Sequence, residues 1–227
     1  MKNILLFSPH PDDNLCVAGA VRKLQKKGYQ FYEILFANGD SGGNLKNSGV
    51  ITDIRDKEFE KASDILNTVR SYKIGFSDDE VQYSKKLFYN LIEIIREIQP
   101  AIAFLPHPDD YHRDHKEVSS IAYDAIRAAD NSFKFELGHR YRIPVSLYYQ
   151  GLNPLNQVNI LVDIEEEFDF IMKLVRVYSS QMTERMKQNL ISKPSLAGYY
   201  MRVRYAEAYE IPKNLPLYPN GVLSDLS

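Results

Sequence analysis

Thiol chemistry is almost missing from this chain. Among 227 residues there is one cysteine, Cys16. That excludes an intrachain disulfide and any multi-cysteine zinc cage. No apolar run approaches the ~18 residues that a membrane-crossing helix requires. The first residues, Met1-Lys2-Asn3-Ile4-Leu5-Leu6-Phe7, lack a signal-peptide core and cleavage site. A cytoplasmic protein with no membrane role is the expectation. An excess of either charge is also missing, since 28 Lys and Arg face 30 Asp and Glu for a net charge of −2. A dedicated nucleic-acid binder would show a basic surplus. No linker, low-complexity tract or long-period repeat interrupts the chain, so one domain over residues 1–227 is expected, with an irregular tail from about residue 211 set by Pro212, Pro216 and Pro219.

What is present is alternation. Short apolar runs at Ile4–Phe7, Phe31–Ala37, Val69–Ile74 and Ala101–Leu105 read as strands. Stretches with helical spacing lie between them, at Leu15–Lys27, Asp53–Leu66 and Tyr83–Ile98, with Lys116–Ala129 after the last. Asn38–Gly49 is rich in glycine and asparagine and reads as a loop. Two further strands are expected at Val145–Gln150 and Val158–Val162, and helices at Glu165–Val177 and Thr183–Leu190. Strands alternating with helices imply βαβ units. The expected fold is therefore α/β and Rossmann-like, with a mostly parallel twisted sheet covered by helices on both faces.

Five histidines occur, and four fall in two short segments: Ser8-Pro9-His10-Pro11-Asp12-Asp13 and Pro106-His107-Pro108-Asp109-Asp110-Tyr111-His112-Arg113-Asp114-His115. Each follows an apolar strand directly. In an open parallel sheet the ligand crevice forms at the carboxyl ends of strands, above all at a switch point, where strands one and four are often neighbours. The two segments are thus expected to meet in one cleft. Histidine with aspartate suits a catalytic zinc with three protein ligands and one open position. The plain alternative is a pair of acidic turns, because Pro-Asp-Asp is ordinary turn chemistry.

These motifs, in order, resemble the LmbE-like, or PIG-L-type, zinc-dependent N-acetylglucosamine deacetylases. The resemblance rests on Pro9-His10-Pro11-Asp12-Asp13 with Ala18-Gly19-Ala20, on Asn38-Gly39-Asp40-Ser41-Gly42-Gly43, and on Arg55, Glu58 and Ala62 on one helix. It continues through His112-Arg113-Asp114-His115, Ser180-Gln181 and Tyr205-Ala206-Glu207-Ala208. It implies one Zn2+ per chain held by His10, Asp13 and His115. It further implies Asp12 as general base, His112 as the oxyanion-stabilising group, protonated, and Asp114 as the acceptor that orients a histidine. The implied substrate is a small N-acetylated sugar. On this reading His107 and Asp109 are a chance echo of the first motif.

Arg55, Asp110 and Asp40 are the candidates for substrate contact. For Arg55 a salt bridge to Glu58 or Asp79 is an equal alternative, and Asp110 could bond a neighbour instead. Cys16 is expected to be a buried core thiol, His139 structural, and Tyr148-Tyr149 packing. Two other functions stay open: a phosphoesterase built on the same carboxylates, and a non-catalytic binding module using the glycine-rich loop. Whether the chain forms a homo-oligomer is open too.

Overall fold

The structure is a computed structural model and describes residues 2–41, 48–132, 134–151, 153–217 and 221–227. Seven strands form one sheet: β1 (Asn3–Ser8), β2 (Gln30–Ala37), β3 (Thr68–Phe76), β4 (Ile102–Pro106), β5 (Val145–Tyr149), β6 (Ile160–Asp163) and β7 (Ala206–Glu210). Their order is β3-β2-β1-β4-β5-β7-β6. The first five run parallel, while β7 is antiparallel to both β5 and β6. Chain order reverses between β1 and β4, so the two histidine-bearing loops leave adjacent strands at the same end of the sheet.

The helices are α1 (Ala18–Lys26), α2 (Ser48–Ile65), α3 (Lys85–Ile98), α4 (Arg113–Ala129), α5 (Phe168–Val177), α6 (Glu184–Met201) and α7 (Val222–Leu226). Alternate residues of β1 explain the layering. Ile4 and Leu6 pack with α1, α5 and α7, whereas Leu5 and Phe7 pack with α3 and α4. A strand buried on both faces reads as a continuous apolar run, which is why β1 shows no polar alternation. Among the described residues no helix is long and apolar enough to cross a membrane.

Several boundaries differ from the sequence reading. The first helix is split: a 3-10 turn covers Asp13–Cys16, and α1 starts at Ala18. Helix α2 begins at Ser48, inside the expected loop; residues 42–47 of that loop lie outside the described residues. Helix α6 continues past Leu190 to Met201 and carries Pro194 within it. Strand β7 was not expected as a strand at all.

Strand β7 has a specific task. Glu207 is buried and receives the backbone N–H groups of Gly19 and Ala20, each at 2.8 Å, and the hydroxyl of Tyr209 at 2.6 Å. It therefore satisfies the free donors at the start of α1, where negative charge is also favoured by the helix dipole. Gly19 is glycine because a Cβ there would sit 2.8 Å from Glu207 Oε1 and 2.5 Å from Ile164 Cγ2. Replacing Glu207 by Ala should lower stability by roughly 3 kcal/mol, and Tyr209→Phe, which loses one bond, by about 1 kcal/mol. Urea unfolding of the two variants checks the order; equal small losses would show that α1 is not held there.

Candidate metal centre and active site

The loop after β1 is a closed turn. The N–H of Asp13 donates to the His10 carbonyl at 3.2 Å, and the N–H of His10 donates to Asp13 Oδ2 at 2.8 Å. The loop after β4 ends at the N-cap of α4, where His112 Nδ1 accepts the N–H of Asp114 at 3.2 Å. The first turn of α4 then carries Asp114 and His115 inward. A sequence-local turn and a helix start thereby bring residues one hundred positions apart into contact.

Candidate ligand atoms of His10, Asp13 and His115 all lie within 4.8 Å of one another, and all three residues are buried. His10 Nδ1 is 3.6 Å from Asp13 Oδ2, and His115 Nε2 is 3.4 Å from the same oxygen. The remaining ring nitrogens face carboxylates: His10 Nε2 is 3.0 Å from Asp114 Oδ2, and His115 Nδ1 is 3.4 Å from Asp110 Oδ2. Asp114 hydrogen-bonds the ring of His10, and Asp110 stands at ion-pair distance behind that of His115; carboxylates placed so orient imidazoles around protein-bound metals generally.

Candidate ligand atoms of a second group, His10 with His112 and Asp114, also lie within 4.8 Å of one another. Asp114 already accepts His10, the N–H of Asp79 at 2.8 Å and the N–H of Val81 at 3.3 Å, so its oxygens are engaged. The first group is the better donor set. Two neutral imidazole nitrogens and one carboxylate are what a catalytic zinc takes. The electrostatics agree. Burial opposes a charge on His10, yet Asp114 and Asp13 outweigh it and raise its pKa to about 10. Burial likewise opposes charge on His115, and Asp13 and Asp110 raise it. The pocket thus demands positive charge, which protons or a cation can supply.

The two adjacent aspartates point different ways. Asp13 turns to the histidines, whereas Asp12 Oδ1 accepts from Arg55 Nη2 at 2.6 Å. Arg55 is buried on α2 and also donates to the Gly39 carbonyl at 3.2 Å. Its partner is therefore Asp12, not Glu58 or Asp79. Glu58 instead accepts Ser180 N–H at 2.8 Å and Ser180 Oγ–H at 2.6 Å, tying α2 to the segment after α5. Gly39 has φ +76°, and a Cβ there would lie 2.3 Å from Arg55 Nε, so only glycine allows the guanidinium this seat.

Other expected site residues take different places. Asp110 is buried against His115 and accepts the N–H of His112 at 3.0 Å, so it supports the histidines rather than lining the cavity. Asp40 Oδ1 accepts the N–H of Asp78 at 2.9 Å and holds the loop behind the site. His112 Nδ1 is an acceptor, and burial together with the neighbouring His10 and His115 lowers its pKa. Its neutral form, with the proton on Nε2, fits this bond; the expected protonated form does not.

His107 lies 3.2 Å from Glu210 and stands apart from the cluster, and Asp109 receives Asn156 Nδ2 at 2.5 Å. Cys16 is only partly buried and lines the cavity, with burial pushing its thiol well up. His139 is exposed, whereas Tyr148 and Tyr149 are buried as expected.

The cavity above the cluster has a volume of about 340 Å³. Asp78 and Asp79 line it, as do Gln181 and one face of α6 bearing Met186, Asn189 and Lys193. Asp78 and Asp79 sit in an ordinary polar turn, and no motif marked them as lining the cavity. The i, i+3, i+7 spacing of the α6 residues was a visible signal.

The family model for PIG-L, described as GlcNAc-PI de-N-acetylase, matches residues 5–126. The chain belongs to this family. It is accordingly an amide-hydrolysing enzyme of the deacetylase kind. Diacetylchitobiose deacetylase of Thermococcus kodakarensis is 27% identical over 223 residues, covering 91% of this chain and 82% of that protein. A probable N-acetyl-alpha-D-glucosaminyl L-malate deacetylase 2 of Bacillus cereus is 24% identical, covering 85% and 89%. The solved structure of N,N'-diacetylchitobiose deacetylase from Pyrococcus horikoshii, in complex with its inhibitor MPG, matches with a TM-score of 0.84 at 25% identity. It covers 93% of this chain and 84% of that one.

The geometry separates the two histidine motifs. His115→Ala should lose stoichiometric metal, while Asp109→Asn should keep it. Elemental analysis of both purified variants decides, and equal metal loss in both would reverse the assignment.

Proposed function

We propose that this protein is a zinc-dependent hydrolase that removes the N-acetyl group from an N-acetylglucosamine-type sugar or conjugate, releasing acetate and the free amine. The observation that carries the reading is the buried His10, Asp13 and His115 triad with a carboxylate behind each imidazole, beside a cavity of sugar size. Kinship with the deacetylases named above supports the substrate class.

A zinc ion bound there would supply Lewis-acid polarisation of the amide carbonyl and acidify a water. The chain's own groups do the rest. Asp12, held by Arg55 through Oδ1, takes a proton from the attacking water through Oδ2 and returns it to the leaving amine. His112, with Nδ1 occupied by the Asp114 N–H, presents Nε2–H to the oxygen that gains negative charge, a contribution of a few kcal/mol. Asp114 and Asp110 keep the two ligand imidazoles in place.

The direct test is acetate release from a panel of N-acetylated sugars, from the free monosaccharide to disaccharides and conjugates. No release from any of them, with metal bound, would sink the proposal. Asp12→Asn should retain metal while kcat falls by at least about 10²-fold. If metal is lost with activity, Asp12 is a ligand and the division between the aspartates fails.

His112 titrates below its ordinary range, so above neutral pH it is already neutral. Its protonation on Nδ1 breaks the bond from Asp114 N–H only on the acid side. His112→Ala should therefore lower kcat across the range and leave the alkaline side of the pH profile unchanged in shape. A lost alkaline limb would mean that protonated His112 is the active form.

A further inference from the structure

Glu33 lies in the middle of β2, in the run Gln30-Phe31-Tyr32-Glu33-Ile34-Leu35-Phe36-Ala37, and is fully buried. A carboxylate in such a strand is expensive unless its oxygens are satisfied. Its partners are Ser8 Oγ, which donates to Oε1 at 2.5 Å, and Asn14 Nδ2, which donates to Oε2 at the longer distance of 3.4 Å. Both partners are neutral, so an apolar residue at position 33 with small apolar partners would be an easier way to build the sheet.

The positions of those partners explain the arrangement. Ser8 stands two residues before His10, and Asn14 directly follows Asp13. The segment between them carries both metal-ligand candidates of the first loop and the base candidate Asp12. Glu33 sits opposite Leu6 in the β1–β2 register and reaches up to hold both ends of that segment. On the far side Asn14 Oδ1 accepts the hydroxyl of Tyr178, the residue that ends α5, at 3.1 Å. A buried chain from β2 through Asn14 to α5 thus runs beneath the turn. The loop is also tied to β2 by a backbone bond from Ala37 N–H to the Pro9 carbonyl at 2.9 Å, which restrains its first end.

We propose that Glu33 is a positioning residue for the metal centre: by gripping Ser8 and Asn14 it holds the His10–Asp13 turn in its ligating shape. This rests on the metal-centre reading above. The role differs from structural filling in one respect. The benefit of Glu33 is realised when His10 and Asp13 must converge on an ion, not in the stability of the sheet.

The test compares zinc affinity, by chelator competition on the metal-free protein, with thermal unfolding of the same samples. Glu33→Val suits a buried strand and removes both bonds. It should weaken zinc binding about 10–100-fold, as loss of groups supporting metal ligands generally does. Glu33→Gln keeps an acceptor for Ser8 and should stay within a few-fold of the unaltered protein. Ser8→Ala should fall between them, and it decides the matter if Glu33→Val does not fold. A purely structural role would lower the melting temperature of the metal-free variants and leave zinc affinity of the folded protein unchanged, and that result overturns the inference. His115→Ala is the reference. If it loses zinc while Glu33→Val does not, the Glu33 inference alone falls. If it binds zinc as well as the unaltered protein, the metal centre itself is misassigned and both fall.

Discussion

Everything around the site follows from burying carboxylates beside imidazoles where β1 and β4 end. Asp13, Asp110 and Asp114 are all nearly inaccessible, and His10 and His115 stand among them. Isolated buried charges of this kind would each cost several kcal/mol. Pairing every carboxylate with an imidazole and with backbone N–H groups meets that cost, and raises the demand of His10 and His115 for positive charge. A divalent ion can take the place of those protons, which makes metal affinity and proton release two sides of one equilibrium.

The surrounding architecture keeps that cluster rigid. Gly151 belongs to the same packing, since a Cβ there would meet Asp110 Oδ2 at 2.3 Å and His115 Nδ1 at 3.1 Å. Helix α2 contributes Arg55 to Asp12 and Glu58 to Ser180, so one helix face ties Asp12 to the segment that enters α6. From its place between β5 and β6, β7 uses Glu207 to hold the start of α1, directly after the turn that carries Asp13. Positioning by groups that are themselves hydrogen-bonded is what catalysis by preorganised dipoles requires.

Much of this was legible in the residues because the signals were local. His10 and Asp13 share one turn, Asp114 and His115 one helical turn, and each follows a short apolar strand. The parallel sheet was legible from the βα alternation for the same reason. What escaped depends on distant partners. Strand β7 is short and bears Glu207, so its period-2 pattern is faint, and its place is set by pairing with β5 and β6. Helix α6 runs on through Pro194 to Met201, beyond the expected end at Leu190. The partner of Arg55 and the role of Asp110 could not be chosen without the fold, because several acidic residues were equally eligible. The bond from Asp114 N–H to His112 Nδ1 is a backbone capping feature that the residue pattern did not mark.

The adjacent aspartates show how environment rather than residue type assigns chemistry. Asp13 loses its solvent and gains two imidazoles; burial works against its charge, but His115 and His10 hold it below the usual carboxylate range, which suits a ligand. Asp12 keeps partial access to the cavity and pairs with one arginine through Oδ1. The guanidinium also donates to the Gly39 carbonyl and lies 3.9 Å from Asp78 Oδ2, so Arg55 is held on several sides and fixes the direction of Asp12. Where the two side chains point, not what they are, places Asp13 among the histidines and Asp12 against Arg55.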